Sequence, residues 1–352
     1  MFRPTVCHVN LARGYRGGER QTELLIRHLA GLTAGQCLVC RRDSPLPERL
    51  TDVSDLEICP VGGRLGGHLR RIPADIIHAH EAKAVHWTLL ENLLRGTPYI
   101  ITRRLSQAVR SSLTNRLSYG RASALVGVSS KVAAFLHEIA SDRISTIPDA
   151  LAHLDSTRSV TEQIRARYQG KIIIGHIGAY VDRDKGQRVI IEAARILARQ
   201  REDLVFMCLG AGCDEDALRE ESRDVPSVVW EGFQTDIGSY LQAFDLFVFP
   251  SRNEGLGSVL LDVMDHHVPI IAANAGGIPD IVRDQDTGIL VDSGNARQLA
   301  DALTRLLEDP QLARRLADSA AAALARFQPE VMAEQYLDIY RRILAPTQEK
   351  SL

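Results

Sequence analysis

The chain alternates short, continuously apolar runs with helical segments, and it does so twice over its 352 residues. In the first half these runs cover residues 6–11, 36–40, 56–61, 76–79, 99–102, 124–128 and 144–147. The pattern restarts at residues 171–178 and continues at 204–209, 228–231, 246–249, 270–273 and 288–291. Strands buried on both faces of a parallel sheet have this character, and the intervening helices supply right-handed crossovers. The pattern predicts an α/β protein with two doubly wound, Rossmann-like sheets.

The break between the two halves sets the expected domain boundaries. We predict one Rossmann-like domain at residues 1–150, a second at 151–327 and a helical tail at 328–352. At about 100–200 residues per domain, the length also fits two domains. Two such domains imply a central cleft, since ligands of doubly wound sheets bind outside the carboxyl ends of the strands. The motifs below all follow predicted strands, so we expect them to share one site.

Composition excludes several classes of protein. With 45% hydrophobic and 24% charged residues, the chain is neither collagen-like nor disordered, and six cysteines are too few for a disulfide framework. Cys37 and Cys40 form a Cys-x-x-Cys inside a predicted strand, where packed thiols are favoured over a redox or metal site. No apolar run reaches the roughly 18 residues that span a bilayer, and the amino-terminal residues lack the features of a secretory signal. We therefore expect a cytoplasmic protein.

The net charge of −2 conceals two halves of opposite sign. Residues 1–150 contain 20 Lys and Arg against 13 Asp and Glu, whereas residues 151–352 contain 22 against 31. Residues 92–137 have no Asp or Glu, and their cations are Arg95, Arg103, Arg104, Arg110, Arg116, Arg121 and Lys131. A stretch of one sign attracts an anionic partner such as nucleic acid, a lipid headgroup or a phosphorylated glycan. A solvated face with no partner remains an alternative.

Glycine-rich turns follow four of the predicted strands. Gly17 and Gly18 stand before the first helix, and further turns lie at residues 178–186, 250–258 and 275–280. Adjacent glycines allow the backbone to approach a ligand, and the amides and positive dipole of a helix start favour phosphate. For the turn at 17–18 a tight structural turn explains the pattern equally well.

Charged side chains in two of these turns fit a nucleotide ligand. Arg183 and Lys185 stand where cations would stabilise a diphosphate leaving group, although Asp182 and Asp184 could simply balance them in a solvated loop. Glu254 precedes a helix at residues 259–265 that contains a second acid, so the two carboxylates could contact different parts of one extended ligand.

The order of these motifs resembles that of the family-4 retaining glycosyltransferases, which have the two-domain GT-B fold. The resemblance covers nearly the whole chain. It rests on Pro250-Ser251, the Glu-Gly-x-Gly at 254–257, the Gly-Gly-x-Pro at 276–279 and the Thr-Gly-x-Leu-Val at 287–291. It also includes Gly17-Gly18, the His-x-His at 78–80, the Val-Ser-Ser at 128–130 and Lys185-Gly186.

The resemblance implies transfer of a sugar from a nucleotide-diphosphate donor with retention of the anomeric configuration. A UDP-sugar is the donor we expect first. Glu254 would bind the donor sugar hydroxyls, Arg183 and Lys185 the diphosphate, and Asp262 the ribose, while His80 would lie near the sugar. The remaining donor-binding residues would be Gly17, Gly18, Gly178, Gly255, Leu256, Gly257 and Ser258. No metal ion or cofactor is implied. The tail at 328–352 would cross back to the first domain.

Two positions depart from the family pattern. Asp262 replaces the usual Glu and is one methylene shorter, and Ala179 stands where the family often has an arginine. Arg183 is therefore assigned to the diphosphate on physical grounds.

The basic first half would hold the acceptor, a glycan or lipid-linked molecule in polysaccharide or lipopolysaccharide assembly at the inner membrane face. The acceptor or the membrane would meet Arg103, Arg104, Arg110, Arg116 and Arg121, and no nucleic-acid partner is expected. Val109, Leu113 and Leu117, spaced four apart, would share one helix face. Two alternatives remain: a nucleotide-sugar epimerase of the same architecture, and a catalytically degenerate nucleotide-sugar-binding protein.

Overall fold

The computed structural model describes residues 2–62, 66–109, 112–140 and 142–345. The chain divides into two units, residues 1–150 together with 327–352, and residues 151–326. Each unit is built on one parallel sheet covered by helices. The predicted fold class, α/β with two parallel sheets, is confirmed.

Every apolar run named above forms a strand. The first unit contains β1 (Thr5–Asn10), β2 (Gly35–Arg41), β3 (Leu56–Val61), β4 (Ile76–Ala79), β5 (Tyr99–Arg103), β6 (Ala124–Gly127) and β7 (Ile144–Thr146). The second contains β8 (Ile172–Ile177), β9 (Leu204–Leu209), β10 (Val228–Gly232), β11 (Leu246–Phe249), β12 (Ile270–Ala273) and β13 (Ile289–Val291). Most of these strands are buried throughout, which is why they read as unbroken apolar runs.

Thirteen α-helices join and flank the described strands. Those of the first unit are α1 (Gly17–Leu29), α2 (Ala82–Arg95), α3 (Leu113–Arg121), α4 (Ser130–His137) and the carboxy-terminal α13 (Pro329–Leu344). Those of the second are α5 (Arg158–Arg167), α6 (Asp182–Lys185), α7 (Gln187–Leu197), α8 (Glu215–Glu221), α9 (Ile237–Ala243), α10 (Val259–Asp265), α11 (Ala296–Glu308) and α12 (Pro310–Ala322). None of the described helices is long and apolar enough to cross a membrane.

Both sheets have the strand order of doubly wound folds. The order is β3-β2-β1-β4-β5-β6-β7 in the first and β10-β9-β8-β11-β12-β13 in the second. The direction of winding therefore reverses between β1 and β4 in one sheet and between β8 and β11 in the other. In open α/β sheets, ligands bind outside the carboxyl ends of the strands at this reversal. The topology thus marks one candidate position in each unit.

Helix α13 completes the core of the first unit. Its residues Met332, Tyr336, Leu337 and Tyr340 are buried in one cluster with Val6 and other side chains of the sheet. The tyrosine hydroxyls also make hydrogen bonds to polar side chains of the sheet. The carboxy-terminal helix is therefore an integral part of the first unit.

Cys37 and Cys40 lie in β2 and are buried, as the structural interpretation of the Cys-x-x-Cys predicts. Burial raises the pKa of the Cys40 thiol to about 12, so this thiol stays protonated at neutral pH. The six cysteines are all free thiols.

Candidate active site

In the second unit, the loops that follow β8 and β11 are bound to each other at the reversal point. The backbone N–H groups of Arg252 and Asn253 donate to the Asp184 carbonyl oxygen at 2.8 and 3.2 Å. Gly186 has a φ of +70°, and a Cβ there would lie 2.4 Å from the Pro250 carbonyl oxygen. Only glycine fits such a backbone approach. The contact fixes the end of α6 against the loop that carries Glu254.

Lys185 and Glu254 form an ion pair at this junction, with the lysine Nζ donating to Glu254 Oε1. Their side chains are 23% and 10% exposed. Lys185 Nζ also lies 6.0 Å from the centroid of the Phe249 ring. A cation and a carboxylate held side by side at a strand end can contact, respectively, the phosphates and the hydroxyls of one ligand. The structure thus brings together two of the predicted site residues.

Backbone contacts fix the position of Glu254. Its carbonyl oxygen accepts from the Gly277 N–H at 3.1 Å, and a Cβ on Gly276 would lie 2.2 Å from the same oxygen. The Gly-Gly turn at 276–277 therefore supports the acidic loop from behind. Gly178 lies beside Lys185 without such a clash, since a Cβ there would make ordinary van der Waals contacts at 3.6 Å to Lys185 Cδ and 3.4 Å to His176 Nε2.

Arg183 does not join this pair. Its side chain is 83% exposed and contacts Asp184 at 3.4 Å. In this structure only Lys185 of the two predicted cations meets Glu254. The physical reason is that α6 is a single turn, and residues two apart on a helix point in different directions.

Residues 182–184 also form an Asp-x-Asp pattern, which the expectation of metal independence overlooks. Asp182 is buried and is paired with Arg188 at 3.0 Å, and its other oxygen accepts from the Arg188 N–H at 2.7 Å. Asp184 accepts from Asn253 Nδ2 at 3.2 Å. Both carboxylates therefore take part in contacts that hold the loop.

Asp262 lies in the first turn of α10 and is buried. Its Oδ1 accepts from the Ala152 N–H at 3.2 Å, so at least one carboxylate oxygen contacts the protein backbone. Of the predicted donor residues 255–258, Leu256 is buried in the core and Gly257 has a φ of +88°. Ser258 is the residue that precedes α10, where the predicted helix begins.

In the first unit, three imidazoles meet where β1 and β4 run side by side. His8 and His78 are opposite one another in the strand pairing, and His80 follows the end of β4. All three are buried, and burial lowers the pKa of each, to about 4 for His8 and well below the usual value for the other two. All three are therefore neutral at pH 7.

A chain of hydrogen bonds determines which nitrogen of His80 carries the proton. Gln36 Nε2 donates to the Ile26 carbonyl oxygen, so Gln36 Oε1 must accept from His8 Nε2 at 3.1 Å. Neutral His8 then has a bare Nδ1, which accepts from His80 Nε2 at 3.0 Å. The remaining Nδ1 of His80 is an unprotonated acceptor, and it has no partner among the described residues.

The three histidines also place ring nitrogens within 4.8 Å of one another, a set that could ligate a transition metal. His78 bonds to the Tyr340 and Thr102 hydroxyls, both at 2.7 Å, and the other two rings bond to each other. Arg104 Nη1 donates to the His80 carbonyl oxygen at 3.1 Å, which adds positive charge nearby. These contacts favour a cluster of neutral, hydrogen-bonded imidazoles over a site for a divalent metal ion.

Gly17 and Gly18 open α1 directly after the β1 loop, in the position the sequence predicts. Arg16 N–H donates to Glu19 Oε2 at 2.9 Å, which caps the helix start. A Cβ on Gly18 would lie 3.9 Å from Arg104 Cδ. The double glycine therefore lies close to the same arginine that contacts His80.

The basic stretch divides into buried and exposed cations. Arg104 is not a surface cation as predicted, because its Nε is paired with Asp149 Oδ1 at 2.8 Å and both side chains are largely buried. Arg103 is buried as well, whereas Arg116 and Arg121 are exposed on α3. Arg110 lies outside the described residues.

The prediction that Val109, Leu113 and Leu117 share one helix face is wrong for Val109. Helix α3 begins at Leu113, so Val109 lies before it and cannot share its face. Leu113 and Leu117 are 86% and 46% exposed, so they do not pack into the core. The sequence spacing alone could not distinguish an exposed apolar stripe from a packed one.

Residues 171–309 match the family model described as Glycosyl transferases group 1.

Curated relatives agree with this match. The chain is 32% identical over 197 residues to the alpha-D-kanosaminyltransferase of Streptomyces kanamyceticus, covering 53% of this chain and 50% of that protein. It is 30% identical over 171 residues to the lipopolysaccharide core biosynthesis glycosyltransferase LpsE of Rhizobium meliloti (strain 1021), covering 47% and 49%. The matched region thus spans about half the length of these relatives.

A solved structure resembles the chain over nearly its full length. HepE of Anabaena, crystallised with UDP-glucose, has a TM-score of 0.81 at 19% sequence identity, covering 96% of this chain and 99% of that one. At this identity the likeness shows the fold, which is the GT-B class predicted from the sequence.

Proposed function

We propose that the protein is a retaining glycosyltransferase that moves a sugar from a nucleotide-diphosphate sugar to a glycan or lipid-linked acceptor. The observation that carries the proposal is the Lys185–Glu254 pair, held at the sheet reversal of the second unit inside the region that matches the family model. The UDP-glucose complex of HepE, which has the same fold, supports a UDP-sugar as donor. The likeness to LpsE supports a role in lipopolysaccharide or related cell-surface polysaccharide assembly. We further propose that the reaction takes place at the cytoplasmic face.

The site residues have separate tasks in this reaction. Lys185 would stabilise the negative charge that grows on the diphosphate as the glycosidic bond breaks, and Glu254 would orient the sugar through its hydroxyls. The Gly17–Gly18 turn is assigned to the phosphates and Asp262 to the ribose. Arg183 is also assigned to the diphosphate, and its exposed side chain is accessible to a ligand.

His80 would contact a hydroxyl of the transferred sugar. Its Nδ1 is a bare acceptor in a buried position, which matches a hydroxyl donor and not a carbonyl or phosphate oxygen. His8 and Gln36 act through His80 and are positioning residues. The sequence pattern suggests His80 but not His8 or Gln36, because residues 8, 36 and 80 are brought together only by the strand order.

A thermal-shift screen over nucleotides and nucleotide sugars tests the proposed donor. A ligand at one hundred times its dissociation constant should add about 2.7 kcal/mol to the free energy of unfolding. We expect UDP and a UDP-sugar to raise the melting temperature, and the K185A variant to lose most of that shift, while K171A, at an exposed lysine of the same unit, keeps it. No shift with any nucleotide would contradict the proposal, and an isomerised sugar without acceptor would indicate an epimerase.

Chelation by EDTA should leave the rate of transfer unchanged. Lys185 and the helix starts would stabilise the diphosphate in place of a divalent cation, and Asp182 and Asp184 already have protein partners. The initial rate with EDTA is compared with that in added magnesium or manganese. A strict requirement for either ion would mean that the Asp-x-Asp loop or the histidine cluster binds metal.

Helix α3 is the proposed membrane contact. It exposes Leu113 and Leu117 together with Arg116 and Arg121, a combination of apolar and cationic groups typical of segments that lie on anionic bilayers. Each exposed cation near such a surface contributes about 1 kcal/mol.

The double variant R116Q/R121Q should therefore bind anionic vesicles roughly 30-fold more weakly than the parent at low salt. The matched control R223Q/R297Q removes the same charge from exposed positions of the second unit. Vesicle co-sedimentation at low ionic strength, where screening is weakest, provides the measurement. Equal loss of binding in both double variants would indicate a net-charge effect and no specific contact by α3.

A further inference from the structure

A cavity of about 340 Å³ lies within the first unit, lined by the start of α2, the end of β5, the following loop and α3. This volume is at the lower end of the range of about 300–1,000 Å³ for small-molecule sites. Its polar lining residues are Lys83, His86, Arg103, Gln107, Asn115 and Tyr119. Three of these have basic side chains, and none of the lining residues is acidic.

Arg103 is the residue that most constrains what the cavity can hold. It is only 8% exposed, and among the described residues no ion pair joins Arg103, Lys83 or His86 to a carboxylate. Lys83 meets the Glu81 carboxylate only through its backbone N–H. Its Nη1 donates to the Tyr119 hydroxyl at 3.3 Å and its Nη2 to the Gln107 carbonyl oxygen, while Nε has no partner among the described residues. A buried guanidinium without a counter-ion is strongly unfavourable unless an anion compensates it.

The neighbouring arginine shows the contrast. Arg104 is also largely buried, and the chain supplies Asp149 as its counter-ion at 2.8 Å. Glu81, the nearest acid in sequence to the start of α2, accepts from the backbone N–H groups of Leu11, Lys83 and Ala84. Its carboxylate is thus used to cap the helix. Within the described part of the chain, Arg104 has a counter-ion and Arg103 has none.

We propose that this cavity binds a phosphate group of the acceptor, with Arg103 as its buried counter-ion and Lys83 and His86 as further donors. The inference rests on the proposed function, since it names the substrate class of the same enzyme. Phosphate suits the site because its several oxygens accept from a planar guanidinium and from other donors at once. The cavity and the exposed leucines share α3, so either a soluble phosphorylated glycan or a phosphate-bearing lipid fits.

Calorimetric titration of the full chain with inorganic phosphate tests the site, with UDP present at saturation so that the donor site is occupied. We expect R103Q and K83Q each to weaken phosphate binding about tenfold or more. K131Q, a cation of the same acid-free stretch that does not line the cavity, is the matched control and should bind as the parent does. K83Q changes a partly exposed side chain, so it keeps the test valid if R103Q fails to fold.

The outcomes separate this inference from the proposed function. Phosphate binding that is lost in K83Q and R103Q and kept in K131Q supports the site, whereas equal binding in all variants, or none in the parent, overturns it. UDP affinity is measured separately on the same variants without phosphate, so a protein that binds UDP but not phosphate keeps the proposed donor site and lacks this acceptor site. Glucose 1-phosphate and a short-chain phosphatidylglycerol then distinguish the soluble from the lipid source, since only the true class should bind more tightly than inorganic phosphate.

Discussion

Replacing Lys185 by alanine is expected to lower turnover by about 10²–10³-fold while the protein stays folded. Loss of one preorganised electrostatic contact to developing charge has this typical cost. The ammonium group is the only lysine or arginine nitrogen in contact with Glu254 among the described residues, so no neighbour can replace it. Turnover is measured as UDP release from the donor that the thermal-shift screen selects.

Two comparisons separate catalysis from stability. K171A removes an exposed lysine of the same unit whose Nζ donates to the Glu202 carbonyl oxygen, and should retain parental turnover. Because K185A leaves the largely buried Glu254 carboxylate unpaired, some loss of stability is expected too. The double variant K185A/E254Q removes that charge and should recover stability without recovering turnover. Near-normal turnover by K185A would contradict the assignment of Lys185 to the diphosphate.

Acidification from pH 7 to pH 5 is expected to lower the free energy of unfolding by about 2 kcal/mol for each of His8 and His176. Burial lowers the pKa of both imidazoles to about 4, whereas in the unfolded chain they titrate near 6.5. Below pH 6.5 the unfolded state therefore takes up protons that the folded state does not. The stabilisation is complete above pH 6.5 and is lost as the pH falls toward 4. His78 and His80 act in the same direction.

The two tryptophans allow each unit to be followed separately. Trp87 is buried in the first unit and Trp230 in the second, so the W87F and W230F variants give unit-specific urea unfolding curves. In the second unit, H176N should flatten the acid dependence. H267N is the matched control, since this side chain is exposed and its φ of +53° suits asparagine. Equal unfolding free energies at pH 7 and pH 5 in the parent would show that the imidazoles are not held neutral.

The fold could be predicted because its strands are buried on both faces. A strand such as β9 has no solvent-facing side, so the sequence shows an unbroken apolar run of the correct length. The glycine-rich turns could also be predicted from the sequence. Gly186 and Gly276 occupy positions where the Cβ of any other residue would collide with the backbone. Both signals depend on residues close together in the chain, so a single sequence is enough to show them.

What could not be predicted depends on pairs distant in sequence. Arg104 belongs to a basic stretch when read along the chain, but Asp149 neutralises it across 45 residues. Arg103 has the same charge and no such partner among the described residues, and nothing in the sequence distinguishes the two. The pairing of Lys185 with Glu254, 69 residues apart, likewise required the sheet order to be known. Arg183 is the other predicted cation of this loop, but its side chain is exposed and does not contact Glu254. Its direction depends on the single turn of α6, which the sequence does not show.

The hydrogen bonds from Gln36 through His8 to His80 have a consequence for how such a protein can evolve. The residue at position 36 decides, from two strands away, whether position 80 offers a lone pair or a proton. A change of Gln36 to leucine would allow His8 to adopt its other tautomer. His80 Nδ1 would then no longer be fixed as an acceptor, although no residue of the proposed ligand contacts has changed. Under the proposed function, substitutions at these three positions depend on one another, and the preference for a sugar hydroxyl could be changed by a substitution inside the sheet.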